Sequence, residues 1–110
     1  MRMSEYAAIY LATNDASGRP LPDRDDLLEW VLMEMAREFG GATATETVEG
    51  RGAWSTPAGI VVVEPITIVK SYFGSAGSAD DRLRALARVL KDRARQKAVA
   101  IETRRGLELV

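Results

Sequence analysis

The side chains that could do chemistry in this 110-residue chain are few. The sequence has no Cys and no His, which excludes thiol nucleophiles, imidazole general bases, Ser-His-Asp triads and zinc fingers. The remaining candidates for an acid, a base or an anion clamp are Tyr10, Asp15, Arg19, Arg51 and Tyr72. Such groups could act on a reactive small molecule by positioning and electrostatics alone, so we predict no cofactor and no metal.

Aromatic residues define a candidate ligand site. Aromatic rings with a few polar tips suit a small apolar or planar ligand, provided that the fold brings them to one cavity. The predicted ligand-binding set is Tyr6, Tyr10, Arg51, Trp54 and Tyr72. The alternative is that the same aromatic residues form the interface between two copies of the chain.

A cluster of acidic residues, Asp23, Asp25, Asp26 and Glu29, resembles a metal site only in composition. Successive residues in the first turn of a helix point in different directions, so these carboxylates would not converge on one ion. We assign them to the start of a helix, where negative charge is favourable.

The element that must position these residues is residues 59–73, the longest run of β-branched residues in the chain. Its apolar side chains fall on both faces, which predicts a central strand covered on both sides. Pro65 cannot donate a ladder hydrogen bond and indicates a bulge or a change of partner within the strand. Residues 5–13 form a second strand without a polar face.

Helical periodicity predicts two helices, over residues 24–39 and 79–97. Gly40 and Gly41 end the first, whose buried stripe is predicted to be Leu28, Leu32, Met35 and Phe39. Further strands are expected at 42–50, resuming at 53–55, and at 98–103, with a short extension at 107–110. The order strand, helix, strand, strand, helix, strand predicts one domain, 1–110, with a ferredoxin-like α+β sandwich: two helices on one face of a four-stranded antiparallel sheet.

Two surfaces on the predicted helices could contact a partner. Trp30 and Met33 lie off the buried stripe of the first helix. On the second helix, a basic row lies opposite the buried stripe and consists of Arg84, Arg88, Lys91 and Arg95. Residues 1–64 carry a charge of −6 and residues 65–110 a charge of +5, which the two helices lying side by side would explain.

A set of short motifs resembles a family of small ferredoxin-like bacterial domains of unknown function. The motifs are Phe39-Gly40-Gly41-Ala42-Thr43, then Gly52-Ala53-Trp54, Glu64 after a turn, and Gln96 before the last strand. The resemblance implies the fold and no chemistry. Residues 1–30 show no signal-peptide pattern and no stretch is apolar enough to span a membrane, so we expect a cytoplasmic location without membrane contact.

The main hypothesis for function is a non-enzymatic binding and assembly module. It would form a homodimer or higher homo-oligomer through its sheet and bind a protein partner or a small apolar ligand. One alternative is a cofactor-independent enzyme acting on a small aromatic substrate in a pocket formed by a dimer; another is binding of an anionic partner by the basic row. Nucleic acid is not expected as a partner, because the central strand lacks the basic, Gly-rich, aromatic pattern of RNA-recognition motifs.

Overall fold

The computed structural model describes residues 2–45, 51–55, 58–59, 61–75 and 77–110, and it leaves the side chains of 51–55 and 61–63 undescribed. Six strands and two helices are defined in these ranges. In chain order they are β1 (Glu5–Ala12), α1 (Arg24–Phe39), β2 (Thr43–Thr45), β3 (Arg51–Ser55), β4 (Val61–Phe73), α2 (Ala79–Arg93), β5 (Ala100–Thr103) and β6 (Gly106–Leu109).

The sheet is antiparallel and has the order β2-β4-β1-β5-β6, with β3 also paired to β4. This confirms the ferredoxin-like sandwich, with β1 and β4 as central strands. Pro65 marks the predicted change of partner: β4 pairs with β3 up to Pro65 and with β1 from Ile66 onwards.

The strand count differs from the predicted four. Of the expected strand over 42–50, β2 covers Thr43–Thr45, and residues 46–50 lie outside the described residues. β3 begins at Arg51 rather than at residue 53. The C-terminal extension becomes a full strand, because Gly106 adopts φ 125° and lets β6 fold back on β5.

Both helices pack on one face of the sheet. The fully buried side chains of this core come from all layers and include Ile9, Leu11, Val31, Met35, Val69, Leu83 and Leu90. The buried row of α1 is Leu27, Val31, Met35 and Phe39, so the predicted stripe is partly wrong. The residues that face the sheet are spaced by four throughout, whereas the predicted stripe contained spacings of both three and four. Leu28 and Leu32 therefore lie beside the buried row and are half-buried.

The helix ends differ in how well the sequence predicts them. Gly40 ends α1 in the left-handed conformation, with φ 95°, as expected. By contrast, α2 ends at Arg93 instead of residue 97. Arg95 adopts φ 50°, which cannot continue a right-handed helix, and its carbonyl accepts a hydrogen bond from the Ala16 backbone.

Among the described residues, no helix combines the length and the apolar character needed to cross a bilayer.

Candidate active site

The sheet face away from the helices, called the open face below, carries most of the predicted ligand site. Directly paired residues project to the same face of a sheet. The register pairs Tyr6 with Tyr72 and Tyr10 with Ile68. Glu102 of β5 lies opposite Ala8, so it projects between the two tyrosines of β1.

Tyr6 and Tyr10 both donate a hydrogen bond to the Glu102 carboxylate. The Tyr6 hydroxyl lies 3.0 Å from Oε2 and the Tyr10 hydroxyl 2.8 Å from Oε1. Burial is the main cause that raises the pKa of Tyr10 to about 12, and the hydrogen bond to Glu102 is the second cause. For Tyr6, the hydrogen bond to Glu102 is the main cause of the raised pKa. Both hydroxyls are therefore neutral donors at physiological pH, and the sequence did not predict their shared acceptor.

Tyr72 and Lys70 extend this cluster along β4. The ring centroids of Tyr6 and Tyr72 are 6.1 Å apart, and the Lys70 ammonium lies 5.0 Å from the centre of the Tyr6 ring. Tyr72 is 55% exposed and leaves an aromatic face open to a planar ligand. The structure thus brings together three of the five predicted ligand-binding residues, while the side chains of Arg51 and Trp54 lie outside the described residues.

Glu64 is a functional candidate to which the sequence analysis assigned no role. It lies on β4 beside Pro65, opposite the backbone of Gly52, and is only 6% exposed. Burial raises the pKa of its carboxyl group, and a hydrogen bond from the Asn14 side chain partly offsets the rise. A lone carboxylate in an apolar strand is the signal that could have identified it, because burying such a group is costly.

Asp15 and Arg19, predicted as an acid or base and a clamp, belong to the loop between β1 and α1. Asp15 Oδ1 accepts hydrogen bonds from the backbone amides of Ser17, at 2.9 Å, and Arg19, at 3.0 Å. These bonds and one from the Ser17 hydroxyl lower the pKa of Asp15. Asp15 therefore holds this loop together, and its role as an acid or base stays a prediction.

The predicted partner surfaces on the helices are partly occupied within the chain. Trp30 is half-buried, and the Arg93 guanidinium lies 4.5 Å from the centre of its ring, whereas Met33 is exposed. Arg84 forms a two-pronged pair with Glu108 of β6, at 2.8 and 3.0 Å. It also contacts Asp81 of its own helix at 3.2 Å, so its partners lie on β6 and α2 and not on the acidic α1.

The rest of the basic row is not a continuous surface of α2. Arg88 is exposed and Lys91 half-buried, but Arg95 lies beyond the end of the helix. The Nε atom of Arg95 is 3.8 Å from the Asp15 carboxylate. Across the described ranges, no group of three or more acidic side chains is arranged to hold a metal ion.

Comparison with known proteins gives a likeness of structure only. No family model matches the chain, and no curated protein matches it either. A phage SAM lyase in complex with S-methyl-5'-thioadenosine shares 17% identity, with a TM-score of 0.68 over 100% of this chain and 93% of that one. The phage SAM lyase in the apo state gives 17% identity and a TM-score of 0.65 over 98% and 89%.

This likeness establishes the shared fold and corrects the main hypothesis for function. Both similar structures are of an enzyme, so the expectation of a non-enzymatic binding module is contradicted. The cofactor-independent enzyme of the sequence analysis is the better-supported alternative.

Proposed function

We propose that the protein is a lyase that cleaves S-adenosylmethionine (SAM) or a closely related sulfonium nucleoside. The observation that carries the proposal is the likeness to a SAM lyase over the whole chain, with a TM-score of 0.68. This proposal makes the cofactor-independent enzyme predicted from the sequence more specific. The planar group that it recognises is the adenine of the substrate.

The chemistry of a sulfonium substrate suits a chain without His and Cys. When the bond between sulfur and the amino-acid chain breaks, both electrons move to sulfur, which leaves as a neutral thioether. The carbon that loses sulfur forms a new bond within its own fragment. Either a proton on the neighbouring carbon passes to water or another base, and its electron pair forms a C=C bond, or the fragment's carboxylate attacks and closes a lactone. No acid is needed at the leaving group, so positioning and electrostatics are the main requirements.

We assign to Glu64 the role of holding the positive end of the substrate. Its carboxylate is buried, and burial raises its pKa because the charged form has lost water. A sulfonium or ammonium group placed beside it would restore a favourable interaction for both charges.

The cluster around Glu102 suits the nucleoside part of the substrate. A carboxylate offers about four lone-pair sites, so Glu102 can accept ribose hydroxyls in addition to those of Tyr6 and Tyr10. The exposed ring of Tyr72, with Lys70 nearby, offers a stacking surface for adenine.

The two parts of the site are too far apart in one chain for a single small substrate. Lys70 pairs with Ala8 and Ala8 with Glu102, so these residues form one row across the sheet. Glu64 lies six positions before Lys70 on β4, which is about 20 Å at ~3.3 Å per residue. We therefore propose that the open faces of two copies pack together, so that Glu64 of one copy meets the tyrosines of the next.

Apolar side chains on the open face support this packing. Leu107 and Leu109 of β6 pair with Glu102 and Ala100 and are 61% and 70% exposed. Exposed apolar area next to an aromatic cluster is typical of a surface that another protein covers.

Light scattering at micromolar concentration should show at least a dimer, and a strict monomer would contradict a shared site.

The activity is tested by incubating the purified protein with SAM and following S-methyl-5'-thioadenosine by liquid chromatography with mass spectrometry. We expect its release to scale with protein concentration. S-adenosylhomocysteine is the matched control substrate, since its neutral sulfur is a poor leaving group and should not be cleaved. Intact SAM after prolonged incubation with folded protein would overturn the proposal.

A further inference from the structure

A cavity of about 410 Å³ lies where the end of α1 meets β4. Its walls come from the last residue of α1, the segment that leads into β2, and residues 70–74 of β4. Small-ligand sites in proteins have volumes of roughly 300–1,000 Å³, so the cavity can hold a small molecule. The site described above uses only its rim, at Lys70 and Tyr72.

Ser71 is a buried polar side chain in the wall of this cavity. It pairs with Ala7 of β1, whose side chain belongs to the core under the helices, so Ser71 also projects to the helix side of the sheet. Ser71 is 1% exposed, and its hydroxyl has no hydrogen-bond partner among the described residues. Because buried hydroxyl groups in proteins nearly always have a partner, this one is a candidate contact for a ligand in the cavity.

The edge of β4 beside Ser71 offers further hydrogen-bonding groups. β2 pairs with β4 only from Ile68 to Lys70, and among the described residues no strand pairs with residues 71–73 on that side. Successive residues of a strand direct their amide and carbonyl groups to alternate sides, so at least one of these three presents a donor and an acceptor there. Such an edge can bind a flat molecule that has an acceptor next to a donor.

The other walls of the cavity suit a planar and neutral molecule. The rings of Phe39 and Phe73 stack with their centroids 5.0 Å apart, and the ring of Tyr72 is exposed at the rim. The carboxyl end of α1 carries partial negative charge, whereas Lys70 is positive, so the cavity as a whole favours neither an anion nor a cation. A nucleobase has these properties, because it is flat, uncharged and able to form hydrogen bonds along its edge.

We propose that this cavity binds the adenine base of the substrate and that the Ser71 hydroxyl is a hydrogen-bond partner of the base. Glu102 lies two strands from Lys70 in the same row of the sheet, about 10 Å away at ~4.8 Å per strand. A ribose attached to the base would therefore extend towards the cluster around Glu102. The identity of the base rests on the function proposed above, whereas the cavity and its unpartnered hydroxyl do not.

Binding can be measured without turnover, by isothermal titration calorimetry with S-methyl-5'-thioadenosine. Ser71→Ala should weaken the affinity roughly 3- to 10-fold, as expected for the loss of one hydrogen bond. Without ligand, the same variant should melt at the wild-type temperature or above it, because the hydroxyl has no partner to lose. The matched control is Ser75→Ala, at an exposed position after β4, which should change neither quantity.

An unchanged affinity in Ser71→Ala would overturn the proposal. A lower melting temperature of ligand-free Ser71→Ala would also overturn it, because the hydroxyl would then have a partner within the chain.

A ¹H–¹⁵N titration of the wild-type protein with S-methyl-5'-thioadenosine locates the site without any variant. The amides of residues 40–42 and 71–74 should shift, and shifts confined to other residues would overturn the proposal. S-methyl-5'-thioinosine should bind more weakly, because its base edge has donor and acceptor exchanged and the strand edge cannot exchange its own. Equal affinities for the two nucleosides would contradict recognition of the base edge.

Two results would separate the cavity from the proposed activity. S-methyl-5'-thioadenosine bound at residues 40–42 and 71–74 by a protein that leaves SAM intact would contradict the proposed function but support the cavity as an adenine site. Cleavage of SAM by a protein in which these amides do not shift would support the function but overturn the cavity as the adenine site.

Discussion

Two glutamates, Glu64 and Glu102, lie on the same face of the sheet in different surroundings. Glu102 is half-buried, and each of its carboxylate oxygens accepts a hydroxyl, from Tyr6 or from Tyr10. Glu64 is almost fully buried, and burial is the main cause that raises the pKa of its carboxyl group.

The difference indicates separate roles. A carboxylate surrounded by neutral donors is stable by itself and can recognise further hydroxyls, which suits binding. A carboxylate that has lost much of its water, with no cation paired to it among the described side chains, is energetically unfavourable until a positive ligand arrives, which suits a site for a sulfonium or ammonium group. Changing each glutamate in turn should therefore have different consequences.

Among the effects on substrate binding, on pKa and on stability, the largest is expected from Glu102→Gln on substrate binding. Loss of charge-assisted hydrogen bonds to the ribose should raise KM for SAM roughly 10- to 100-fold, since such bonds contribute ~1.5–3 kcal/mol. Because the interaction is the same in ground state and transition state, kcat should stay near the wild-type value. Steady-state kinetics checks this, and an unchanged KM would remove Glu102 from the site.

The second prediction concerns the tyrosine beside Glu102. Burial is the first cause that holds the pKa of Tyr10 at about 12, and the Glu102 hydrogen bond is the second. Glu102→Gln should lower that pKa but not return it to 10.0. ¹³Cζ NMR of the tyrosine rings measures it, and a full return to 10.0 would show that burial contributes little.

A smaller effect is expected on stability when Glu64 is made neutral. Its pKa in the folded protein is raised above 4.5, so the fold loses stability as the pH rises from 4.5 through the raised value. Glu64→Gln should therefore melt at a higher temperature than the wild type at pH ~7, and the difference should disappear as the pH falls below the ordinary value of 4.5. Glu29→Gln, at an exposed site on α1, is the control, and its melting temperature should equal that of the wild type at both neutral and acidic pH. Equal melting temperatures of Glu64→Gln and wild type at neutral pH would contradict the burial argument.

The smallest effect is expected far from both glutamates, on the basic row. Reversing Arg88 and Lys91 to Glu should change the free energy of unfolding by at most ~1 kcal/mol and leave SAM turnover unchanged, because exposed charges contribute little. Arg84→Ala, which removes the two-pronged pair with Glu108, is the comparison. Thermal melts and activity assays of both variants check these expectations. Loss of SAM turnover when Arg88 and Lys91 are reversed would connect the basic row to function.

The sequence predicted the fold better than the site, for physical reasons. The apolar residues on both faces of 59–73 and 5–13 require central strands, and Pro65 requires a change in pairing. Tyr6, Tyr10 and Tyr72 could be placed together because alternation along a strand determines the face on which a side chain lies.

The contacts of the two glutamates could not be predicted in this way. That Glu102 meets two tyrosines depends on the register between β1 and β5, whose paired residues lie more than 90 positions apart. The burial of Glu64 depends on tertiary packing around β4, about which periodicity contains no information. Arg51 and Trp54 stay predictions.

The most direct test of the account is the turnover of SAM by Glu64→Gln at saturating substrate. The substitution keeps the shape of the side chain and removes its charge, while Glu29→Gln controls for the loss of one negative charge at an exposed position. We expect kcat for release of S-methyl-5'-thioadenosine to fall by at least ~100-fold in Glu64→Gln and to stay at the wild-type value in Glu29→Gln. Wild-type turnover by a folded Glu64→Gln protein would contradict the account.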